Sequence, residues 1–382
     1  MSHADQITSS DFKMSSMGWF FNGCRYKLKY PSTNGKTCFL RIEPAPEAPE
    51  ILWHNLNHPF KQQMKRKVII SLITLMILCV SFGIIFGLKY ANYKVKKQFK
   101  GDIITETVNG VTIQRYNDLS DSQEVQLQSI SILIYICSKL VNKIFDKVLG
   151  ALTIFEKTYT TSEFYSSATK KTVIAQFINT SCLIVIVHYI LKGSERYVIW
   201  GSGSLLVDIW YIVIFNSMVL PLLYVLNFGI IGGLFKRCRL RRDKNSKRYT
   251  QLQAHKIYEG VPMDPVRSYT DIYQIFLTSL FFMPAFPLTV AILFGSLVLV
   301  YWIQKYFLLR IYCKPPLLQA KICFDSLIFI KIGAFTLSLG QLSFNVIMSG
   351  IGNTNILAII QTVVTGILIA VPIEEMFSEF YT

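Results

Sequence analysis

Predominantly apolar stretches alternate with short polar segments along most of this chain. The apolar runs cover residues 68–88, 126–155, 172–191, 204–235, 272–304, 322–348 and 356–373. Because about 20 apolar residues are enough to cross the hydrocarbon of a bilayer, each run can form a membrane helix. The pattern therefore predicts an all-α polytopic membrane protein.

The run at residues 272–304 decides how many helices there are. It could be one helix of about 50 Å or two shorter helices folded back at Pro284 and Pro287. The segments on either side of it, 236–248 and 305–321, are both basic, and basic loops tend to stay in the cytoplasm. Only a hairpin, made of either two crossings or a re-entrant pair, returns the chain to the side that it left. We therefore predict about eight transmembrane helices, with both termini cytoplasmic.

Polar segments flank the predicted membrane region. Residues 1–66 should form a cytoplasmic N-terminal segment, 67–375 a transmembrane domain and 376–382 a cytoplasmic tail. Within the first segment, residues 25–30 and 37–42 have the pattern of two β-strands, which are too few to make a domain alone.

A second hairpin is predicted after the first membrane helix. Residues 103–107 and 111–115 have the pattern of strands on either side of Asn109 and Gly110. An Asn-Gly pair suits the positive φ angles of a tight hairpin turn.

Composition and charge exclude several classes of protein. The chain is 52% hydrophobic and only 16% charged, with a net charge of +16, whereas soluble domains are about one quarter charged. The positive residues form short runs beside apolar segments, as in cytoplasmic loops, so we expect a lipid bilayer rather than nucleic acid as the partner.

One basic run has two compatible interpretations. It is an anchor that fixes the cytoplasmic side, or it contacts anionic lipid headgroups, which contributes about 1 kcal/mol per basic side chain. The candidate headgroup contacts are Lys236, Arg237, Arg239, Arg241 and Arg242.

Motifs for catalysis are absent from the sequence. It contains no HExxH, no GxSxG, no phosphate-binding P-loop and no GxGxxG after a strand, and its histidines are scattered. We therefore predict neither enzyme activity nor a cofactor or metal site.

The second apolar run carries charged residues at membrane depth. At 100° per residue, one arc of this helix collects its polar and small side chains. They are Tyr135, Lys139, Asn142, Lys143, Asp146, Gly150 and Thr153. A charged side chain that faces acyl chains costs about 2.5 to 3.5 kcal/mol, so this polar stripe should face water or protein. Two interpretations remain: a buried Lys143–Asp146 ion pair that joins helices, or the wall of a water-filled conduit.

Neighbouring runs add amides to the conduit interpretation. Gln176 and Asn179 lie on the third run, and Asn216 and Asn227 on the fourth. Any one of these amides could simply hydrogen bond to another helix. Together with the charged stripe, they favour a pore lining.

Three glycines near the end of the fourth run predict a flexible point. Gly229, Gly232 and Gly233 each lower helix stability by about 1 kcal/mol relative to alanine. This pattern is typical either of a gating hinge or of close packing between helices.

The polar segment before the first membrane helix resembles a family signature. Residues 44–56, PAPEAPEILWHNL, resemble the APEPxDIxWxNL motif of the OSCA family of stress-gated cation channels. In the same order, residues 176–180 and 252–273 resemble the next two motifs of that family. Residues 284–287, PAFP, and 301–316, with YW at the start and RIYCKPP at the end, resemble its SPGLPxxYP and YWVDKxxLLRxYxxPP elements.

The resemblance covers residues 36–375 and carries expectations for fold and activity. It implies an anoctamin-like fold and a homodimer, with a pore lined in each subunit by the helices matching the first five here. The implied function is a mechanically or osmotically gated, calcium-permeable, non-selective cation channel of the plasma membrane. A lipid scramblase of the same fold, or a non-conducting subunit, is the alternative.

Part of the family pattern has no counterpart in this sequence. The first three membrane helices and most of a cytoplasmic sheet are unmatched, so the strands within residues 25–42 would be the remnant of that sheet. The chain would then be the pore-forming half of a channel, either as a fragment or with a partner that contributes the missing helices.

The accessibility of two loops tests the predicted topology. A tag at Asn245 should resist protease added to intact cells, because it follows the basic run of residues 236–242. A tag at Asn109 should be cleaved. Cleavage at Asn245 with protection at Asn109 would invert the orientation.

Overall fold

The structure is a computed structural model that describes most of the chain between residues 27 and 370. The described residues are 27–31, 37–41, 46–99, 103–108, 111–116, 121–191, 205–219, 221, 228–242, 250–313, 321–349 and 356–370. Helices dominate this part of the chain, and two short antiparallel hairpins accompany them.

The helices are named in chain order. They are α1 (Phe60–Phe99), α2 (Asp121–Ile154), α3 (Thr161–Phe177), α4 (Leu183–Leu191), α5 (Leu205–Ile214), α6 (Phe228–Arg242), α7 (Gln251–Glu259), α8 (Pro265–Phe282), α9 (Thr289–Arg310), α10 (Lys321–Ser349) and α11 (Ile356–Ala370). Two π-helical turns belong to the same series: π1 (Ile178–Cys182) joins α3 to α4, and π2 (Phe215–Val219) follows α5.

Four helices in the described residues are long enough and apolar enough to cross a membrane. They are Lys61–Leu88, Thr161–Ile190, Thr289–Arg310 and Asp325–Ile347, and two shorter apolar helices cover Leu205–Met218 and Ile356–Ile369. These helices fit an all-α integral membrane protein. They do not establish eight crossings, because α2 and α8 are not among them. The eight-helix count, the cytoplasmic termini and the domain boundaries stay predictions.

The break predicted in the long uncharged run is present. Helix α8 ends at Phe282 and α9 begins at Thr289, with Pro284 and Pro287 in the turn between them. The Thr289 hydroxyl donates to the backbone carbonyl of Ser279 at 3.2 Å, which ties the start of α9 to the end of α8. The run is therefore a helical hairpin, as the basic flanks indicated.

Both predicted hairpins have strands close to their expected positions. Strands β1 (Lys27–Pro31) and β2 (Thr37–Arg41) form one two-stranded sheet, and β3 (Ile103–Val108) and β4 (Val111–Tyr116) form another. Because each sheet has two strands, neither is a domain. That β1 and β2 are the remnant of a larger sheet stays a prediction.

Helix α8 lies at the centre of the core and packs against α3, α9 and α10. Its N-terminus is fixed locally, because the Asp264 carboxylate accepts from the backbone N–H of Val266 at 3.1 Å and Pro265 suits the first helical position. The Tyr273 ring stacks on Phe329 of α10 at 4.1 Å between centroids. At the other end, Phe281 and Phe282 are almost fully buried.

Helix α10 lies against the backbone of α8 at Gly340. A Cβ atom at this position would collide with the backbone carbonyl oxygen of Phe281. Small residues allow helix backbones to approach in this way. The contact therefore requires glycine.

Replacing this glycine should destabilise the fold. We expect Gly340→Ala to lower the midpoint of thermal unfolding in detergent, because relieving the clash costs about 1 to 3 kcal/mol. Gly295→Ala on α9 is the matched control, since no atom lies within 4 Å of a Cβ there, and it should be neutral or slightly stabilising. Equal midpoints for the two variants would contradict the packing.

Candidate ion pathway

Helix α2 presents most of its polar stripe to its neighbours α1, α3 and α5. The stripe divides into buried Tyr135, Asn142 and Thr153, half-buried Lys139, Asp146 and Gly150, and exposed Lys143. Thr153 bonds within the helix, to the Leu149 carbonyl at 2.8 Å. The predicted pore-lining residues of α2 are therefore largely inside the bundle.

The middle of the bundle holds a network that we call the amide cluster: Ser81, Asn142, Asn179, Thr180 and Gln274. The Asn142 amide donates to the Thr180 hydroxyl at 3.0 Å and accepts from the Asn179 amide at 2.5 Å. The Ser81 hydroxyl donates to the Asn179 oxygen at 2.6 Å, and Gln274 donates to Thr180 at 3.3 Å. The cluster joins α1, α2, π1 and α8 by side-chain hydrogen bonds.

The π1 turn positions three consecutive polar residues of this region. Asn179, Thr180 and Ser181 are all buried, and the Ser181 hydroxyl donates to Thr278 of α8 at 3.2 Å. A π-helical turn inserts one residue into the α-helical repeat. It thereby lets successive side chains face α1, α2 and α8 together.

Next to the amide cluster lies a charged cluster of Lys139, Asp146, Gln176, Arg267 and Asp271. The Gln176 amide donates to the Asp146 carboxylate. Lys139 interacts electrostatically with both Asp271 and Asp146. Arg267 lies 3.9 Å from Asp271 across one turn of α8. Lys139, Asp146 and Asp271 thus lie together in the bundle, and Arg267 is partly exposed at its edge.

The ion pair considered between Lys143 and Asp146 is not formed in the part of the chain that the structure describes. Asp146 instead accepts from Gln176 and faces Lys139, whereas the Lys143 side chain is exposed. Lysine and aspartate three residues apart can pair on a helix. Here the Asp146 side chain is directed to Gln176 inside the bundle, whereas Lys143 lies on the exposed side.

Asp271 and Gln274 were missed by sequence reasoning. Asp271 directly precedes the long uncharged run, so it looked like part of a polar flank. A usable signal was the spacing of Arg267, Asp271, Gln274 and Thr278, which puts four polar side chains on one face of a helix. That face of α8 meets the polar face of α3 and π1.

The opposite end of the stripe contacts α5. The Tyr135 hydroxyl donates to the backbone carbonyl of Asp208 at 2.7 Å, and its ring stacks on Phe215 at 6.1 Å. Asp208 is itself buried. It is a second carboxylate that the sequence pattern did not single out.

Asn216 lies in π2 and is 1% exposed. Neither atom of its amide has a hydrogen-bond partner among the described residues, and the same holds for the Ser217 hydroxyl. Buried polar groups of this kind are usually bonded to ordered water. Asn227, the other amide predicted for this run, lies outside the described residues.

The candidate hinge falls in α6. An added Cβ at Gly232 or Gly233 would meet no atom within 4 Å, so close helix packing does not account for these two glycines within the described residues. The surroundings of Gly229, also in α6, lie outside the described part.

The basic end of α6 is only partly available to lipid. Lys236, Arg239 and Arg242 are exposed. Arg237 instead donates to the backbone carbonyls of α7, at 2.9 Å to Ile257 and 3.3 Å to Tyr258. The side chain of Arg241 is not described.

Comparisons with known proteins do not assign this chain to a family. No family model matches the sequence, and no curated protein matches it. In the described residues, no three histidine, cysteine or carboxylate side chains come close enough to hold a metal ion.

The amide cluster makes a testable contribution to stability. Asn142→Leu should lower the thermal midpoint in detergent, because the buried Asn179 and Thr180 groups lose a partner, at about 1 to 3 kcal/mol. Lys143→Leu, at the next and exposed position, should have little effect. Adding Asn179→Leu to Asn142→Leu should cost less than the sum of the two single changes. Additive losses would exclude direct coupling.

Proposed function

We propose that this chain conducts cations across a membrane along the polar side of α2, through the space between α1, α2, α3, π1 and α8. The observation that carries this proposal is the set of buried and half-buried charges and amides inside an apolar helix bundle. It contains Lys139, Asp146, Asp271 and the five residues of the amide cluster.

The length and cost of this arrangement support a pathway. The stripe from Tyr135 to Thr153 extends about 27 Å along α2, close to the thickness of a bilayer core. Ionisable residues at membrane depth are costly and usually mark an ion pathway or a water-filled cavity. A purely structural bundle could hold the same helices with apolar contacts at no such cost.

The charge balance along the pathway differs from the balance of the predicted stripe. On the predicted stripe, two lysines, Lys139 and Lys143, accompany a single carboxylate, that of Asp146. An excess of positive charge is unfavourable for a cation pathway. In the bundle, Asp146 and Asp271 both interact with Lys139, and Lys143 lies on the exposed side. With Arg267 beside Asp271, two carboxylates balance two basic side chains, and a cation that passes Asp146 and Asp271 would meet Lys139 as a barrier.

Opening of the pathway would require the hydrogen bonds of the amide cluster to break. Its hydrogen bonds close the space between α1, α2 and π1, so they correspond to a closed pathway. Gly232 and Gly233 would let α6 bend when the bundle opens. Membrane tension or osmotic stress as the stimulus, calcium permeability, the plasma membrane and a dimeric assembly rest on the resemblance to the OSCA family.

Lipid scrambling is the second candidate, favoured by the exposed lysines of α2. Lys143 and Lys147 are both exposed and lie one helical turn apart on the same face. Lysines at such a position could attract phosphate headgroups along the outside of α2. A non-conducting subunit would need neither feature.

Purified protein in liposomes distinguishes these activities. Under suction, the parent should show single-channel cation currents. Lys139→Glu should raise the cation conductance or the leak at rest, because it replaces the barrier by an attractive charge. Lys143→Glu is the matched control, since the same charge change on the exposed face should have a smaller effect.

Other outcomes identify the alternatives. Lipid exchange between leaflets without current, abolished by Lys143→Glu, would indicate a scramblase that uses the exposed face. If folded parent protein produced neither current nor lipid exchange, the channel proposal would fail.

A further inference from the structure

The segment just before α1 packs on the turn between α2 and α3. We call residues 46–59 the clasp segment and residues 155–160 the α2–α3 turn. The backbone N–H of Leu52 donates to the Tyr159 carbonyl at 2.8 Å, and Ile51 and Thr160 form an antiparallel bridge. The Tyr159 hydroxyl donates back to the His58 carbonyl at 2.7 Å. Backbone and side chains thus connect two distant parts of the sequence.

Two amides hold the carbonyl groups of the turn. Asn55 is 4% exposed, and its amide donates to the Thr158 carbonyl at 2.8 Å. Gln63, in the first turn of α1, donates to the Lys157 carbonyl at 2.5 Å. The α2–α3 turn therefore has its carbonyls bound by the segment and the helix that it faces.

Glu50 anchors the clasp segment at the start of α3. Its side chain is 2% exposed and its carboxylate accepts from the Ser162 hydroxyl. The Thr161 hydroxyl donates to the Glu50 backbone carbonyl at 3.3 Å. A buried carboxylate is costly without such partners. In contrast, Glu47 in the same segment is exposed.

The turn is also bonded to α3, the helix that contributes Gln176 to the charged cluster. Glu156 is fully buried, forms an ion pair with Lys171 of α3 and accepts from the Ser167 hydroxyl at 2.8 Å. Lys171 is five residues before Gln176, whose amide is bonded to Asp146. A displacement of the turn would therefore move α2 and α3 at the level of the pathway.

We propose that the clasp segment couples the cytoplasmic N-terminal region to the pathway. While it is docked, it holds α2 and α3 at the spacing at which the Asp146–Gln176 bond and the amide cluster can form. Its release lets these helices separate and raises the flux. This inference rests on the proposed conduction and names the element that regulates it.

Two glutamate variants test release. In liposomes without applied tension, Glu50→Ala should raise resting cation flux about tenfold, which corresponds to a shift of about 1.4 kcal/mol in the closed–open equilibrium. Glu47→Ala removes the same charge three residues away from an exposed position and should leave the flux at the parent value. Hydrogen exchange at the Leu52 amide should accelerate in Glu50→Ala only.

A reversible lock tests the docked state. Ile51→Cys combined with Thr160→Cys places two thiols at bridged backbone positions. Oxidation should then suppress tension-activated flux, and a reductant should restore it. The single variants Ile51→Cys and Thr160→Cys, oxidised in the same way, control for the other cysteines of the chain.

The possible failures separate the two proposals. If the parent conducts and neither Glu50→Ala nor the oxidised double-cysteine variant alters its flux, the coupling is overturned and conduction stands. Faster exchange at Leu52 with unchanged flux would overturn the coupling in the same way. If the folded parent, the released variant and the locked variant all carry no cation flux, the proposed conduction is overturned, and the coupling with it.

Discussion

The absence of water from the hydrocarbon of a bilayer is the constraint on which the rest of this structure depends. Every polar group held at membrane depth must find a partner within the protein or in a water-filled space. The amide cluster meets this requirement by mutual bonding across α1, α2, π1 and α8. Asn216 is not satisfied in this way among the described residues.

This constraint also fixes how the helices are rotated. Helix α2 must turn Asn142 and Asp146 inward, so its apolar residues Leu140 and Ile144 are exposed on the opposite side. Helix α8 must direct Asp271 and Gln274 towards α2 and π1. Its remaining surface is then free to bury Phe281 and Phe282 against the other helices.

Features that depend on local pattern were predictable from the sequence. The polar stripe of α2 follows from the helical repeat, and the break after Phe282 follows from two prolines and basic flanks. Both hairpins lie close to the expected residues. These signals need only neighbouring positions in the chain.

Features that depend on how helices meet were not predictable. Asp146 bonds to Gln176 rather than to Lys143 because the choice is made by the rotation of two helices. The sequence around Asn179 and Thr180 has no pattern that predicts a π-helical turn. Asp271 was not predictable because a charge at the edge of an apolar run is typical of the end of a membrane helix. In the structure, α8 begins six residues earlier, at Pro265, so Asp271 lies inside the helix.

The backbone of Lys157 has a consequence for the energy of the α2–α3 turn. It has a φ of 55°, in the left-handed region, which costs an ordinary residue about 1 to 2 kcal/mol. Its carbonyl is the one bound by Gln63. The bonds that the turn makes to α1 and to the preceding segment therefore offset an unfavourable backbone conformation at Lys157, and the net stability of the docked turn is smaller than its hydrogen bonds alone would give.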